Sequence, residues 1–84
     1  MKFYYFTFRS VTYAQRGEKA LVSSGIHCTL QRTPRWMEEK GCGYCLRLWT
    51  RDPAPAAEVL RRLGVPMRKV YRQEGDGQLR EISL

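Results

Sequence analysis

The sequence predicts an α+β fold in which two helices cover one face of an antiparallel β-sheet. Segments with the period of a β-strand and segments with the period of a helix follow one another in the order strand, helix, strand, strand, helix, strand. Glycine and proline residues separate most of these segments, as expected at turns and helix ends. Because 84 residues are too few for two independent cores, we expect one domain spanning residues 1–84.

The first strand is predicted over residues 2–9, whose sequence KFYYFTFR is rich in aromatic side chains. Apolar side chains occur at both odd and even positions, which is typical of a central strand. A helix is predicted to begin next, at Ser10 or at Thr12, and Thr12 has the capping-box spacing to Gln15. Gly25 stands where this helix should end. The predicted apolar face of the helix consists of Val11, Ala14 and Leu21.

Two further strands and a second helix are predicted in the middle of the chain. Residues 26–33 and residues 44–50 alternate between two sets of side chains, as strands with one buried face do. The second helix is expected to have Asp52 as its N-cap and Pro53 in its first position, and to end at Gly64. The predicted apolar stripe of this helix consists of Ala56, Val59, Leu60 and Leu63.

The last part of the chain predicts a strand and an optional hairpin. A fourth strand is predicted over residues 67–73, and the Gly75-Asp76-Gly77 turn allows residues 78–84 to pair with it as a further strand. The resulting order is the ferredoxin-like βαββαβ arrangement. Such a sheet has a second face that the helices leave open, and the fold by itself does not define a function.

The protein is strongly basic. Fifteen Lys and Arg against eight Asp and Glu give a formal net charge of +7, which favours anionic partners such as nucleic acid, phosphates or acidic proteins. No apolar segment is long enough to span a membrane, and the first apolar run lacks the features of a signal peptide. We therefore expect a cytoplasmic protein that has no membrane partner.

One of the three cysteines has the sequence setting of a reactive thiol. An odd number of cysteines in a reducing compartment predicts no disulfide framework. Cys42 stands between Gly41 and Gly43 in the predicted loop before the third strand, where neighbouring side chains give it little cover. Because positive charge favours the nucleophilic thiolate, Cys42 is the predicted reactive cysteine. The basic side chains expected around it are Arg35, Lys40 and Arg47.

The other two cysteines have different predicted roles. Cys45 completes a Cys-x-x-Cys spacing with Cys42, so it is a candidate resolving thiol of a thiol–disulfide redox protein. The residues after Cys42 alternate like a strand rather than a helix, which favours Cys45 as an ordinary sheet residue. Cys28 lies on the apolar face of its strand, which predicts a buried, unreactive thiol. Neither a cofactor nor a metal site is predicted, since His27 and Cys28 point to opposite faces of their strand.

Several short motifs resemble those of a known family. They are Phe6-Thr7-Phe8-Arg9-Ser10 before the first helix, Arg32-Thr33-Pro34-Arg35 after the second strand, Gly41-Cys42-Gly43 before the third strand, and Val70-Tyr71-Arg72. Over residues 3–73 the chain is similar to the selenium/sulfur carrier protein-like family. The resemblance implies a carrier rather than an enzyme in the usual sense, with sulfur or selenium donor and acceptor proteins as its partners.

The resemblance also implies persulfide chemistry on one cysteine. The family's cysteine matches Cys42, whereas Cys45 stands where we expect an aliphatic residue in relatives. A thiolate on an open loop would accept a sulfane sulfur from a donor, and an acceptor would later remove it. The residues expected to shape that loop are Thr33, Pro34, Arg35, Gly41 and Gly43.

Nucleic-acid binding is the alternative function. Ferredoxin-like sheets with an open face also form RNA-binding modules, which stack bases on aromatic side chains. Residues 40–47 (KGCGYCLR) are similar to a motif of such modules, but Cys42 and Arg47 stand where aromatic residues belong. Because an exposed aromatic patch often marks an interface, a homodimer through this face is favoured over RNA. The candidate residues of the open face are Phe3, Tyr5, Arg47, Trp49, Lys69 and Tyr71.

Overall fold

A computed structural model of the protein describes residues 1–34 and 43–84. Over these residues, five strands form one sheet in the order β2-β3-β1-β4-β5, and every neighbouring pair is antiparallel. The predicted α+β class and ferredoxin-like arrangement are confirmed, with the additional strand at one edge. The elements in chain order are β1 (Lys2–Thr7), α1 (Val11–Ser23), β2 (Thr29–Arg32), β3 (Tyr44–Thr50), α2 (Ala54–Arg62), β4 (Val70–Gln73) and β5 (Leu79–Ile82).

β1 is the central strand, as its two apolar faces predict. It pairs with β3, where Thr7 lies opposite Cys45, and with β4, where Tyr5 lies opposite Tyr71. Alternate residues of β1 contribute to two separate clusters. Phe6 belongs to the main core with the helices, whereas Tyr5 belongs to a smaller cluster with Cys45 and Tyr71.

The main core lies between the helices and the sheet, and α1 packs closely on it. Ala14 and Leu21 are buried as predicted, but Val11 is exposed, so the predicted apolar face of α1 is wrong at that residue. Gly17 is buried instead, because its missing side chain lets the helix lie directly on Phe8. The apolar face of α1 therefore includes a glycine, which a count of hydrophobic residues does not detect.

The second helix differs from its prediction at its start and in part of its apolar stripe. Asp52 accepts a hydrogen bond from the Ala54 amide at 3.0 Å, but the N-cap position belongs to Pro53. The predicted start is therefore wrong by one residue, although the Asp52 carboxylate still binds an amide of the first turn. Leu63 is exposed at the C-cap, and Ala57 is buried in addition to the rest of the predicted stripe.

Hydrogen bonds define the start of α1, and the boundary between α1 and β2, more precisely than the sequence pattern does. Ser10 caps α1 through its hydroxyl, which accepts from the Tyr13 amide at 3.2 Å, so Thr12 is not the cap. The Ile26 amide donates to Leu21 O at 2.8 Å in the C-terminal cap of α1. Since this amide belongs to the helix end, the strand predicted from residue 26 begins only at Thr29.

Neither of the two helices in residues 1–34 and 43–84 has the length and apolar character needed to cross a membrane.

The fourth and fifth strands are shorter than predicted. Each has four residues. β4 begins only at Val70, because the chain before it binds the end of β1 through loop-type hydrogen bonds rather than a strand ladder.

Candidate functional site

The connection between β2 and β3 contains most of the predicted site residues, and its two ends are held together. The Thr33 amide donates a hydrogen bond to Gly43 O at 2.8 Å. This bond lies directly beyond the last paired residues of the two strands, Arg32 and Tyr44. Cys42 directly precedes Gly43 in the sequence, so the predicted carrier cysteine is next to a residue whose backbone this hydrogen bond holds.

Several predicted site residues cannot be placed by the structure. Their roles therefore stay predictions made from the sequence. Those that lie outside the described residues are Arg35, Lys40, Gly41 and Cys42.

Thr33 has an unusual environment at the base of this connection. Its side chain is buried, and no group within the described parts of the chain forms a hydrogen bond with its Oγ1 atom. A buried hydroxyl without a partner costs about 1–3 kcal/mol relative to a satisfied one. Buried polar groups without a hydrogen-bond partner are rare in proteins, so the Thr33 hydroxyl next to Gly43 is a candidate for a structural or functional role.

Cys45 lies in β3 on the sheet face opposite the helices. Its exposed fraction is 0 %, and it packs in a cluster with Tyr5 and Tyr71. Because Cys45 is fully buried, a partner thiol would reach its Sγ atom only after the residues that cover it move. The role of resolving thiol remains a prediction, and it requires a conformational change at Cys45.

Cys28 is buried in the main core, as the sequence predicts. Burial disfavours the charged thiolate, and the nearby Glu18 carboxylate disfavours it further. Together they raise the pKa of the Cys28 thiol from 9.0 to about 11. Because the thiolate is the reactive form, Cys28 is a poor nucleophile at neutral pH.

Arg47 is held by an aromatic side chain on the open face. Its guanidinium carbon lies 4.5 Å from the centroid of the Phe3 ring, within the range of a cation–π interaction. Phe3 in turn packs against Trp49, with the two ring centroids 4.6 Å apart. Phe3 lies opposite Trp49, farther from Gly43 than Arg47 itself, so the guanidinium group is directed away from the base of the loop.

The open face offers less aromatic surface than the sequence predicts. Tyr5 and Tyr71 lie on this face, but they are only 8 % and 7 % exposed. Bases cannot stack on rings that are buried in this way, so that part of the nucleic-acid prediction is wrong. Trp49 is 54 % exposed, and Lys69 forms an ion pair with Glu81 at 3.8 Å. The homodimer through this face stays a prediction.

Cationic side chains collect at the end of the sheet where Gly43 lies. The last residue of β1, Thr7, lies at this end of the sheet. It is opposite Cys45, and its amide donates a hydrogen bond to Lys69 O. Glu81 is the acidic residue of the neighbouring strand β5, whereas Glu74 and Asp76 lie at the opposite end. The basic residues that end or flank strands here are Arg9, Arg32, Arg68 and Lys69.

This basic end is not evident from the sequence, which shows only the net charge. The four residues are far apart in the sequence, and only the strand order brings them to one end of the sheet. No local motif connects them, so the strand pairing is the signal that would have been needed. Across residues 1–34 and 43–84, no group of three or more His, Cys, Asp or Glu side chains is arranged to share a metal ion.

These features define a small basic α+β protein with an anchored, cysteine-bearing connection at one end of its sheet. Residues 3–72 match the family model described as "Putative Se/S carrier protein-like". The chain therefore belongs to this family. Comparison with curated proteins and with solved structures gives no match. The family match gives no support to nucleic-acid binding or to dithiol redox chemistry.

Proposed function

We propose that this protein carries sulfur or selenium on Cys42 and transfers it between a donor protein and an acceptor protein. The observation that carries the proposal is the family match, which covers residues 3–72 and so includes the Cys42 position. The family description supplies the cargo, and the structure supplies arguments about which cysteine holds it.

The burial of the other two cysteines supports the choice of Cys42. Cys28 lies in the main core with its pKa raised to about 11. Cys45 has an exposed fraction of 0 %. A carrier thiol must meet two partner proteins in turn, so a buried thiol is unsuited to the task. Cys42, with a glycine on each side, is the remaining candidate.

The charge around the anchored end of the loop also supports the proposal. Arg9, Arg32 and Arg68 lie at the same end of the sheet as Gly43. Positive charge stabilises a thiolate, and it equally stabilises the anionic persulfide that forms on loading. The net charge of +7 further favours donor and acceptor proteins with acidic docking surfaces.

The transfer step needs no oxidant or reductant. The Cys42 thiolate attacks the outer sulfur of a donor persulfide, and a new S–S bond forms to Sγ. The donor's own S–S bond breaks, and its electron pair leaves on the donor thiolate. Cys42 then holds a persulfide, which an acceptor thiolate removes by the same exchange. A selenium atom in the outer position follows the same balance of bonds and electrons.

The test is intact-mass spectrometry after incubation with a low-molecular-weight persulfide, with excess donor removed. The wild-type protein should gain the mass of one sulfur atom, and Cys42→Ser should gain none. Cys28→Ser and Cys45→Ala serve as matched controls and should load as the wild type does. Circular dichroism shows whether each variant is folded. Loading of folded Cys42→Ser, or equal loading on all three cysteines, would contradict the proposal.

A further inference from the structure

A small cavity lies between the end of β1 and the segment that precedes β4. It has a volume of about 150 Å³. Drug-sized ligands occupy cavities of about 300–1,000 Å³, so this one suits a much smaller ligand. Its lining residues are Arg9, Tyr13, Pro66, Met67 and Arg68, and we call it the Arg9–Arg68 cavity.

The backbone on both sides of the Arg9–Arg68 cavity is fixed by hydrogen bonds. The Arg68 amide donates to Thr7 O at 2.8 Å, and the Thr7 amide donates to Lys69 O at 2.9 Å. The Thr7 hydroxyl also accepts from the Lys69 amide at 3.1 Å. On the β1 side, the fully buried Phe8 anchors the residue next to Arg9. The two arginines therefore extend from a rigid frame, which lowers the entropic cost of binding a ligand.

Among residues 1–34 and 43–84, no carboxylate neutralises the charge of either arginine. Within the described residues, neither Arg9 nor Arg68 forms an ion pair with a carboxylate. Other basic side chains of this sheet do, as Lys69 does with Glu81 and Arg72 does with Glu74. None of the described residues that line the cavity is acidic. Guanidinium groups that lie close together repel each other, and an anion bound between them relieves that repulsion.

The start of α1 adds to the positive potential at this site. Tyr13, which lines the cavity, lies in the first turn of α1, where its amide donates to Ser10 Oγ. The first turn of α1 contains no acidic residue. A helix N-terminus carries a partial positive charge, so α1 favours the same sign of ligand as the two arginines do.

We propose that the Arg9–Arg68 cavity binds a small oxyanion. Guanidinium groups bind such anions through paired, charge-assisted N–H···O hydrogen bonds, and the cavity has room for a ligand of that size. This binding goes beyond the carrier function and does not depend on Cys42. Two sources share the chemistry: a free sulfur oxyanion such as thiosulfate, which also contains a sulfane sulfur, and a phosphate group.

The test is isothermal titration calorimetry on full-length Cys42→Ser, a variant in which thiosulfate cannot load the predicted carrier thiol. Thiosulfate, inorganic phosphate and sodium chloride are titrated separately at constant ionic strength. NMR amide shifts at Ser10–Tyr13 and Met67–Lys69 locate the binding site. Arg9→Gln and Arg68→Gln should each weaken binding at least about tenfold, or 1.4 kcal/mol. Arg51→Gln, the same charge change on an exposed side chain at the opposite end of the sheet, is the matched control.

Saturable binding of thiosulfate or phosphate that both cavity variants weaken and Arg51→Gln leaves unchanged supports the proposal. The tighter of the two anions identifies the source of the oxyanion. Absence of saturable binding would overturn the proposal, and so would equal weakening by all three variants, because that result indicates general charge attraction. Since persulfide loading of the wild type is measured separately, failure of either proposal leaves the other intact.

Discussion

The ring of Phe8 occupies the space that a side chain at Gly17 would need. A Cβ atom built on Gly17 would lie 3.0 Å from Phe8 Cζ and 3.2 Å from Leu46 Cδ1. Both neighbours are fully buried, so neither has free space into which to move. The distance between α1 and the sheet is therefore set by a glycine in the middle of a helix.

We expect Gly17→Ala to destabilise the protein. At an exposed helix position this change stabilises by about 1 kcal/mol, because alanine is the better helix former. At Gly17 the added methyl overpacks the core, which costs about 1–3 kcal/mol. Urea unfolding should thus show a lower free energy of unfolding. Gln15→Ala, at an exposed position of α1, is the control and should change stability by less than about 0.5 kcal/mol. A more stable Gly17→Ala would show that α1 is not held at this distance.

The raised pKa of Cys28 predicts a loss of stability at alkaline pH. The thiol ionises near pH 9.0 when unfolded and near pH 11 when folded. Between these values the unfolded chain releases a proton that the folded protein keeps, so the free energy of unfolding falls as pH rises. At 1.36 kcal/mol per pKa unit, the loss contributed by Cys28 is at most about 3 kcal/mol.

This contribution can be isolated with the variant Cys28→Ala. The free energy of unfolding in urea is measured for the wild type and the variant at several pH values between 8 and about 11. The difference between the two free energies cancels the contribution of every other titrating group, because the two proteins share those groups. The stability advantage of the wild type should shrink as pH rises. A difference that stays constant with pH would contradict the raised pKa.

Thr33→Val should leave stability unchanged or raise it by about 1 kcal/mol, because it removes a buried hydroxyl that has no hydrogen-bond partner among the described residues. Unfolding in urea measures this change, and Thr29→Val, at an exposed position of the adjacent strand β2, is the control. A loss of more than about 1 kcal/mol would show that the hydroxyl has a partner. Persulfide loading of the same variant shows whether the hydroxyl serves the carrier site.

The Arg47–Phe3 contact should appear as a coupling free energy. In a double-mutant cycle, Phe3→Leu and Arg47→Met should be non-additive by about 0.5–1 kcal/mol, the strength of a cation–π pair near the surface. Trp49 fluorescence provides a local probe, since its ring packs on Phe3. Replacing Arg47→Met by Arg51→Met in the cycle should abolish the coupling. Additive effects of the first pair would show that the cation and the ring do not interact in solution.

Local patterns in the sequence predict the elements of this fold well. The third strand is predicted over residues 44–50, and β3 spans Tyr44–Thr50, because its alternation is regular and glycine precedes it. The predicted second strand is too long at its start, because the Ile26 amide is used in the cap of α1. A hydrogen bond between neighbouring elements is invisible to a pattern of apolar residues.

The surroundings of the candidate site are less predictable. The burial of Cys28 follows from its position on an apolar strand face, and the sequence indicates it. The burial of Cys45 in one cluster with Tyr5 and Tyr71 depends on the register of three strands that are distant in the chain. The Arg9–Arg68 cavity likewise joins residues that only the pairing of β1 with the segment before β4 brings together. Sequence periodicity contains neither register nor strand order.

The central position of β1 bears on how the protein is synthesised. Phe6 pairs with Leu46 on one side and with Val70 on the other, so β1 is synthesised before either of the strands that it pairs with. Until β3 emerges, the nascent chain exposes an aromatic segment with unpaired backbone groups, which is the kind of surface that chaperones bind and that promotes aggregation. Both neighbours of β1 are thus in place only after β4 has been synthesised.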